Sequence, residues 1–243
     1  MGEFGKSLKK LVSKKELQRT MEECYLVGAG EFQKDFFSYK ERELLIAVDG
    51  GYAYLKELGI KPHIAIGDFD SLKEMGMSEK EIEKEGLTVK RLPCEKDETD
   101  VFSALSYGLE LGKREFHIYG GLGGRLDHSM ANIQCLNYLK SQDAFGYLYG
   151  IKTILTVVEE ESLSFRREAK GFFSLFAMDE KVQGITLEGV KYPLSNAVLT
   201  NEYPLGVSNE FIGERAVITV GKGRALLIFP YMEGGFWIRR KDG

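Results

Sequence analysis

An α/β domain on a mainly parallel sheet, followed by an all-β sandwich, is the fold class this sequence predicts, and three observations predict it. From Cys24 to Gly150 short β-rich apolar runs alternate with amphipathic stretches, the pattern of βαβ units. After Gly150 the helical period disappears, leaving β-branched and aromatic runs separated by Gly, Asn and charged turns. Acidic and glycine-rich segments stand where the apolar runs of the first part stop, and that edge is where open α/β sheets bind ligands.

The runs Tyr25-Val27, Leu44-Val48, His63-Ile66, Thr88-Leu92, Phe116-Tyr119 and Phe145-Tyr149 read as strands. Between them Tyr52-Leu58, Ser78-Lys84, Thr99-Leu111 and Leu126-Leu139 read as helices. The last two space their apolar residues by three and four, which places Val101, Leu105, Leu109, Ile133, Leu136 and Leu139 in the core. Beyond residue 150 the expected strands are Ile154-Val158, Phe172-Phe176, Ile185-Leu187, Ala216-Val220 and Ala225-Phe229. The domains are accordingly residues 1–22, a leader or surface helix; 23–150, the α/β part; and 151–243, the β-sandwich.

The 243 residues suffice for one large domain or two small ones, each with its own core. A composition 43% hydrophobic and 29% charged, with no apolar run of membrane-spanning length, points away from disorder and from the bilayer. The net charge of -4 offers nucleic acid no general attraction, so an anionic ligand needs a locally built positive field. Cys24, Cys94 and Cys135 form neither a disulfide framework nor a metal-ligand spacing, which fits a reducing cytoplasm. The Lys-rich stretch before Cys24 lacks the apolar core of a signal peptide.

Three segments carry the chemistry. In Gly67-Asp68-Phe69-Asp70-Ser71 two extended positions put both carboxylates on one side, about 7 Å apart at Cα, where they either share a cation or cap a solvated turn. Mg²⁺ needs only one or two protein carboxylates when phosphate and water complete its shell. In Lys96-Asp97-Glu98-Thr99-Asp100, Asp97 is placed to cap the next helix, Asp100 to face the same cation and Lys96 to meet phosphate; Thr99 is a ligand contact or a cap. Four glycines in the five residues from Gly120 to Gly124 lead into Arg125-Leu126-Asp127-His128 between a strand and a helix. Backbone N–H groups at Gly123 and Gly124 can cradle phosphate there, Arg125 can bond it, and Asp127 can join the cation shell. His128 is a ligand contact or a capping residue, and Asp49-Gly50-Gly51 is a second nucleotide contact or a simple turn.

In this order, Asp49-Gly50-Gly51, Gly67 to Ser71, Lys96 to Asp100 and Gly123 to His128 resemble the motif series of the thiamine pyrophosphokinase family. Gly189-Val190-Lys191-Tyr192-Pro193-Leu194 and Gly206-Val207-Ser208-Asn209 look like its thiamine-binding region. The resemblance implies transfer of pyrophosphate from ATP to thiamine, giving thiamine diphosphate and AMP, in a homodimer with active sites between the subunits. It implies Mg²⁺ held by Asp68, Asp70, Asp100 and Asp127, charge stabilisation by Arg125, and ATP contacts from Asp49, Gly50, Gly51, Lys96, Asp97, Thr99, Gly123, Gly124 and His128. Tyr192 would stack on the acceptor ring, where the family often has an indole, while Ser208 and Asn209 bond the aminopyrimidine. The competing readings are a Mg²⁺-dependent phosphohydrolase, a pyrophosphokinase of another heteroaromatic alcohol, and a thiamine or nucleotide sensor without turnover.

Overall fold

The computed structural model describes residues 23–70, 86–92, 98–232 and 237–239. The expected helix Ser78-Lys84, the segment 1–22, Cys94 and the candidate residues Lys96 and Asp97 lie outside that set. The chain packs as two compact units, one taking Lys34–Tyr119 with the chain up to Ala29, the other Gly30–Gln33 with the chain from Gly120 onward. By packing, the chain from Gly120 to Gly150 therefore goes with the β-rich unit, whereas the apolar pattern draws its boundary near residue 150. Alternation of strand and helix records local structure, and packing partners are a separate matter.

The first unit contains β1 (Glu23–Val27), β2 (Leu44–Val48), α1 (Gly51–Glu57), β3 (Ile64–Gly67), β4 (Thr88–Arg91), α2 (Asp100–Glu110) and β5 (Glu115–Tyr119). Its strands lie in the order β5-β1-β2-β3-β4 and pair in parallel throughout. The central β1, β2 and β3 are apolar runs because both faces are covered, and every residue of β1 and β3 is buried. At the edge, β4 exposes Thr88, Lys90 and Arg91, and the two charged chains discourage further strand pairing. Helix α2 buries Val101, Ala104, Leu105 and Gly108 and packs across β1, β2 and β3; Leu109 is only half-buried.

At the middle of β1 and β5 the register sets Tyr25 beside His117, and the rings stack at 4.6 Å. The Tyr25 hydroxyl donates to Glu23 at 2.6 Å, and Lys40 pairs with the same carboxylate. Burial pushes the His117 imidazole down to about 4, against the upward pull of Glu23.

The second unit begins with α3 (Leu126–Ser141) and β6 (Phe145–Tyr149) and continues through β7 (Thr153–Phe165), β8 (Lys170–Ala177), β9 (Lys181–Glu188), β10 (Leu194–Thr200), β11 (Asn209–Ile212), β12 (Ala216–Pro230) and β13 (Trp237–Arg239). With one another its strands pair antiparallel, in the order β10-β9-β12-β7-β6, with β8 on β12, β11 on β8 and β13 on β7. The runs Ala216-Val220 and Ala225-Phe229, expected as separate strands, are the two halves of β12. A register shift between Val220 and Arg224 joins them, and β7 accompanies both halves. The first half also pairs with β9 and the second with β8, so one bulged strand serves both layers of the sandwich. Phe165, Phe173, Phe211 and Phe229 meet between the layers, with ring centroids 4.8–5.3 Å apart.

Strands β10, β11 and β13 went unpredicted because their sequences are polar or short. In β10 (Leu-Ser-Asn-Ala-Val-Leu-Thr) only Leu199 is buried.

Candidate functional site

In the first unit, the carboxyl ends of β2 and β3 are adjacent. Val48 is in register with Ile66, and the Asp49 N–H donates to the Ile66 carbonyl at 2.9 Å. Asp49 takes φ +48 as the chain turns from β2 into α1. Gly51 is required by close approach: a Cβ there would lie 1.8 Å from the Val27 carbonyl oxygen at the end of β1. Helix packing thus accounts for Gly51 without any ligand.

The Asp68-Phe69-Asp70 segment is a turn and does not continue the strand. Phe69 drives its ring into the core, 1% exposed, and adopts φ +61 to do so. Asp68 is left half-buried and Asp70 exposed, with the Asp70 N–H donating to Asp68 Oδ1 at 3.1 Å. The expected extended geometry is replaced because burying Phe69 is worth more than continuing the strand. Thr99 is the N-cap of α2, its Oγ1 accepting from the Phe102 N–H at 3.2 Å, and the half-buried Asp100 opens the helix. Among the described residues no three His, Cys, Asp or Glu side chains stand close enough to hold a metal ion by themselves.

In the second unit the glycine turn follows Tyr119 with positive φ at Gly120, Gly123 and Gly124. Gly30 donates to the Gly120 carbonyl and Glu31 to the Leu122 carbonyl, both at 2.8 Å. Arg125 occupies the N-cap position of α3 without a capping side-chain bond. Its guanidinium instead pairs with Asp127 at 2.6 Å, both groups being exposed. The hydrogen bond from Arg125 holds the Asp127 carboxyl below the usual carboxylate range, and Asp127 raises Arg125 in turn. Two residues expected to act separately on phosphate and cation therefore face each other. His128 is exposed, its N–H donating to Asp127 Oδ1 at 3.0 Å.

Also in the second unit, Asn209 clamps the Tyr192 backbone. Its Oδ1 accepts from the N–H groups of Tyr192 (3.0 Å) and Glu210 (2.8 Å), and its Nδ2 donates to the Tyr192 carbonyl at 2.7 Å. Asn209 is buried, so its amide serves the backbone of the loop between β9 and β10, while Tyr192 is 58% exposed. Ser208 is exposed at φ +59, its N–H donating to Ser174 Oγ.

Sequence reasoning passed over Gly30, Glu31 and Asn132. Gly28-Ala29-Gly30-Glu31 ends the first apolar run as the other glycine segments end theirs, and that was the available signal. Asn132 had one as well: with Cys135, Leu136 and Leu139 it completes a buried i, i+3, i+4, i+7 stripe on which it is the sole polar member.

Carboxylates at the carboxyl end of a parallel sheet in one unit, with a glycine turn opening a helix and an antiparallel sandwich in the other, are the parts of a two-domain transferase. Residues 38–145 match the family model for the thiamin pyrophosphokinase catalytic domain, and residues 160–224 that for the thiamin pyrophosphokinase vitamin B1 binding domain. The chain is 34% identical to the thiamine pyrophosphokinase of Bacillus subtilis over 77% of its own length and 87% of the relative's. It is 28% identical to thiamin pyrophosphokinase 1 of Caenorhabditis elegans over 74% of each chain. The crystal structure of the Bacillus subtilis thiamine pyrophosphokinase superposes with a TM-score of 0.75 at 31% identity, covering 86% of this chain and 98% of that one. The chain belongs to the thiamine pyrophosphokinase family.

Proposed function

We infer that the protein transfers the terminal pyrophosphate of ATP to thiamine. The hydroxyethyl oxygen of thiamine attacks the β-phosphorus, the bond from that phosphorus to the α,β-bridging oxygen breaks, AMP departs, and the hydroxyl proton passes to a nearby base or to solvent. The observation that carries the reading is the gathering of Asp49, Asp68 and Asp70 at the adjoining ends of β2 and β3, within the residues matching the family's catalytic domain.

The donor set suits Mg²⁺: hard carboxylate oxygens, half-buried or exposed, with no thiolate among them and too few to exclude water and phosphate. Asp68 and Asp70 would hold the ion together with phosphate and water, Asp100 and Asp127 are proposed as further carboxylates from the sequence, and the ion would neutralise triphosphate charge. Arg125 meets the transferred group. Its exposed pair with Asp127 is weak enough to open and keeps the guanidinium oriented until phosphate competes for it. Asp49, Gly50, Gly51, Thr99, Gly123, Gly124 and His128 contribute nucleotide contacts, and Lys96 and Asp97 are proposed for the same role from the sequence.

On the acceptor side, the exposed Tyr192 ring stacks on thiamine and the Ser208 hydroxyl bonds it. Asn209 acts by holding Tyr192 in place. We propose a homodimer in the cytoplasm; the dimer reading is supported by the outward-facing Phe172 and Ile212, 64% and 48% exposed on the β8–β11 pair. Incubation with ATP, Mg²⁺ and thiamine, with separation of nucleotides, tests the reaction. AMP with thiamine diphosphate is expected; free phosphate would indicate a hydrolase, and no turnover a sensor.

A further inference from the structure

Three successive carbonyls of the glycine turn are gripped from within the second unit. Gly120 and Leu122 are held by the N–H groups of Gly30 and Glu31, and Gly121 by the side chain of Asn132, whose Nδ2 donates at 2.7 Å. Asn132 is 5% exposed, and its Oδ1 is buried with no hydrogen-bond partner among the described residues. On a stripe shared with Cys135, Leu136 and Leu139, an apolar side chain would pack without that desolvation cost. The position gains something other than packing.

What it gains is the orientation of one peptide plane. In a trans peptide the carbonyl and the N–H point in opposite directions, so fixing the Gly121 carbonyl also fixes where the Leu122 N–H points. Glycine at position 121 leaves that plane free to rotate unless something holds it. Gly30 belongs to the same device: a Cβ there would stand 2.4 Å from the Leu122 carbonyl oxygen and 2.7 Å from that of Gly120. We propose that Asn132 is a positioning residue that holds the Gly120–Gly124 turn in the form that receives the phosphates of ATP. The inference rests on reading that turn as a nucleotide contact.

The test uses Asn132→Leu, which removes the donor, and Asn132→Asp, which keeps the shape and replaces the donor with an acceptor. Hydrogen exchange of the amides of residues 121–124 is followed in the ligand-free protein, and KM is measured for ATP and thiamine below the unfolding temperature. Both variants are expected to exchange these amides at least tenfold faster and to raise KM for ATP at least tenfold. KM for thiamine should stay within twofold. Unchanged exchange, or wild-type behaviour of Asn132→Asp, overturns the role of Asn132 while leaving the nucleotide reading of the turn intact. Faster exchange with an unchanged KM for ATP removes the turn from nucleotide binding, and both readings fall. A parallel rise in both KM values reduces Asn132 to a structural residue and overturns the proposal. If neither variant folds, the Asn132 side-chain amide signal of the wild-type protein, labelled with nitrogen-15 at asparagine, decides. It should shift when ATP is added and stay still with thiamine, and a signal indifferent to ATP overturns the proposal.

Discussion

Replacing Asn209 with alanine should detach the Tyr192 loop from β11 and reveal how much of thiamine recognition depends on a residue that need not touch thiamine. The amide makes three hydrogen bonds, accepting from the N–H groups of Tyr192 and Glu210 and donating to the Tyr192 carbonyl. At 5% exposure little water can replace them. At about 1 kcal/mol for each partner left without its bond, the loss is about 3 kcal/mol. For a chain of this size that lowers Tm by roughly 6–12 °C. Circular dichroism melting measures it, with KM for each substrate taken well below the transition. Asn209→Asp retains the two accepted bonds and should fall between wild type and alanine. KM for thiamine should rise severalfold with KM for ATP little changed. A Tm within about 2 °C of wild type, or equal increases in both KM values, would refute the argument that the clamp sets the Tyr192 ring.

Asp70→Asn and Asp100→Asn should each reduce turnover more than tenfold, about 1.4 kcal/mol of barrier, with Tm almost unmoved because neither side chain belongs to the core. Retention of over a tenth of wild-type kcat would remove that residue from the metal assignment. Tyr192→Ala should weaken thiamine use far more than ATP use, and similar losses for both substrates would mark the ring as structural. Stability should decline on acidification through His117: the folded imidazole stays neutral down to about 4, while the unfolded chain takes up its proton near the ordinary value of 6.5. That contribution is fully present above pH 6.5 and is lost between pH 6.5 and about 4, a change on the order of 3 kcal/mol. The depressed Glu23 carboxyl acts in the same direction, its share lost as pH falls through its lowered value. Urea titrations of wild type and His117→Asn across this range check it, and identical pH slopes would exclude the imidazole. Sedimentation should give twice the 27.4 kDa chain mass; a monomer at micromolar concentration would end the dimer proposal.

The sequence by itself determined the parallel sheet and the order of its motifs. Strands buried on both faces must be continuous apolar runs, so β2 is found on the residues the pattern marks and β3 within one residue of them, and the glycine and acidic segments fall at their exits. It also determined the family, because ordered motifs are a property of the chain and need no geometry. Tertiary structure alone decided how those motifs are used. Asp68 and Asp70 are folded into a turn because Phe69 between them is claimed by the core, a demand that no local spacing expresses. Arg125 and Asp127 neutralise one another, and Asn209 is spent on a backbone seventeen residues away. Strand β12 runs through two expected strands because β7 offers a partner along its whole length. Local periodicity reports which face of a residue is buried; it does not report what the buried or polar group meets, because that partner arrives from a distant part of the chain only when the chain folds.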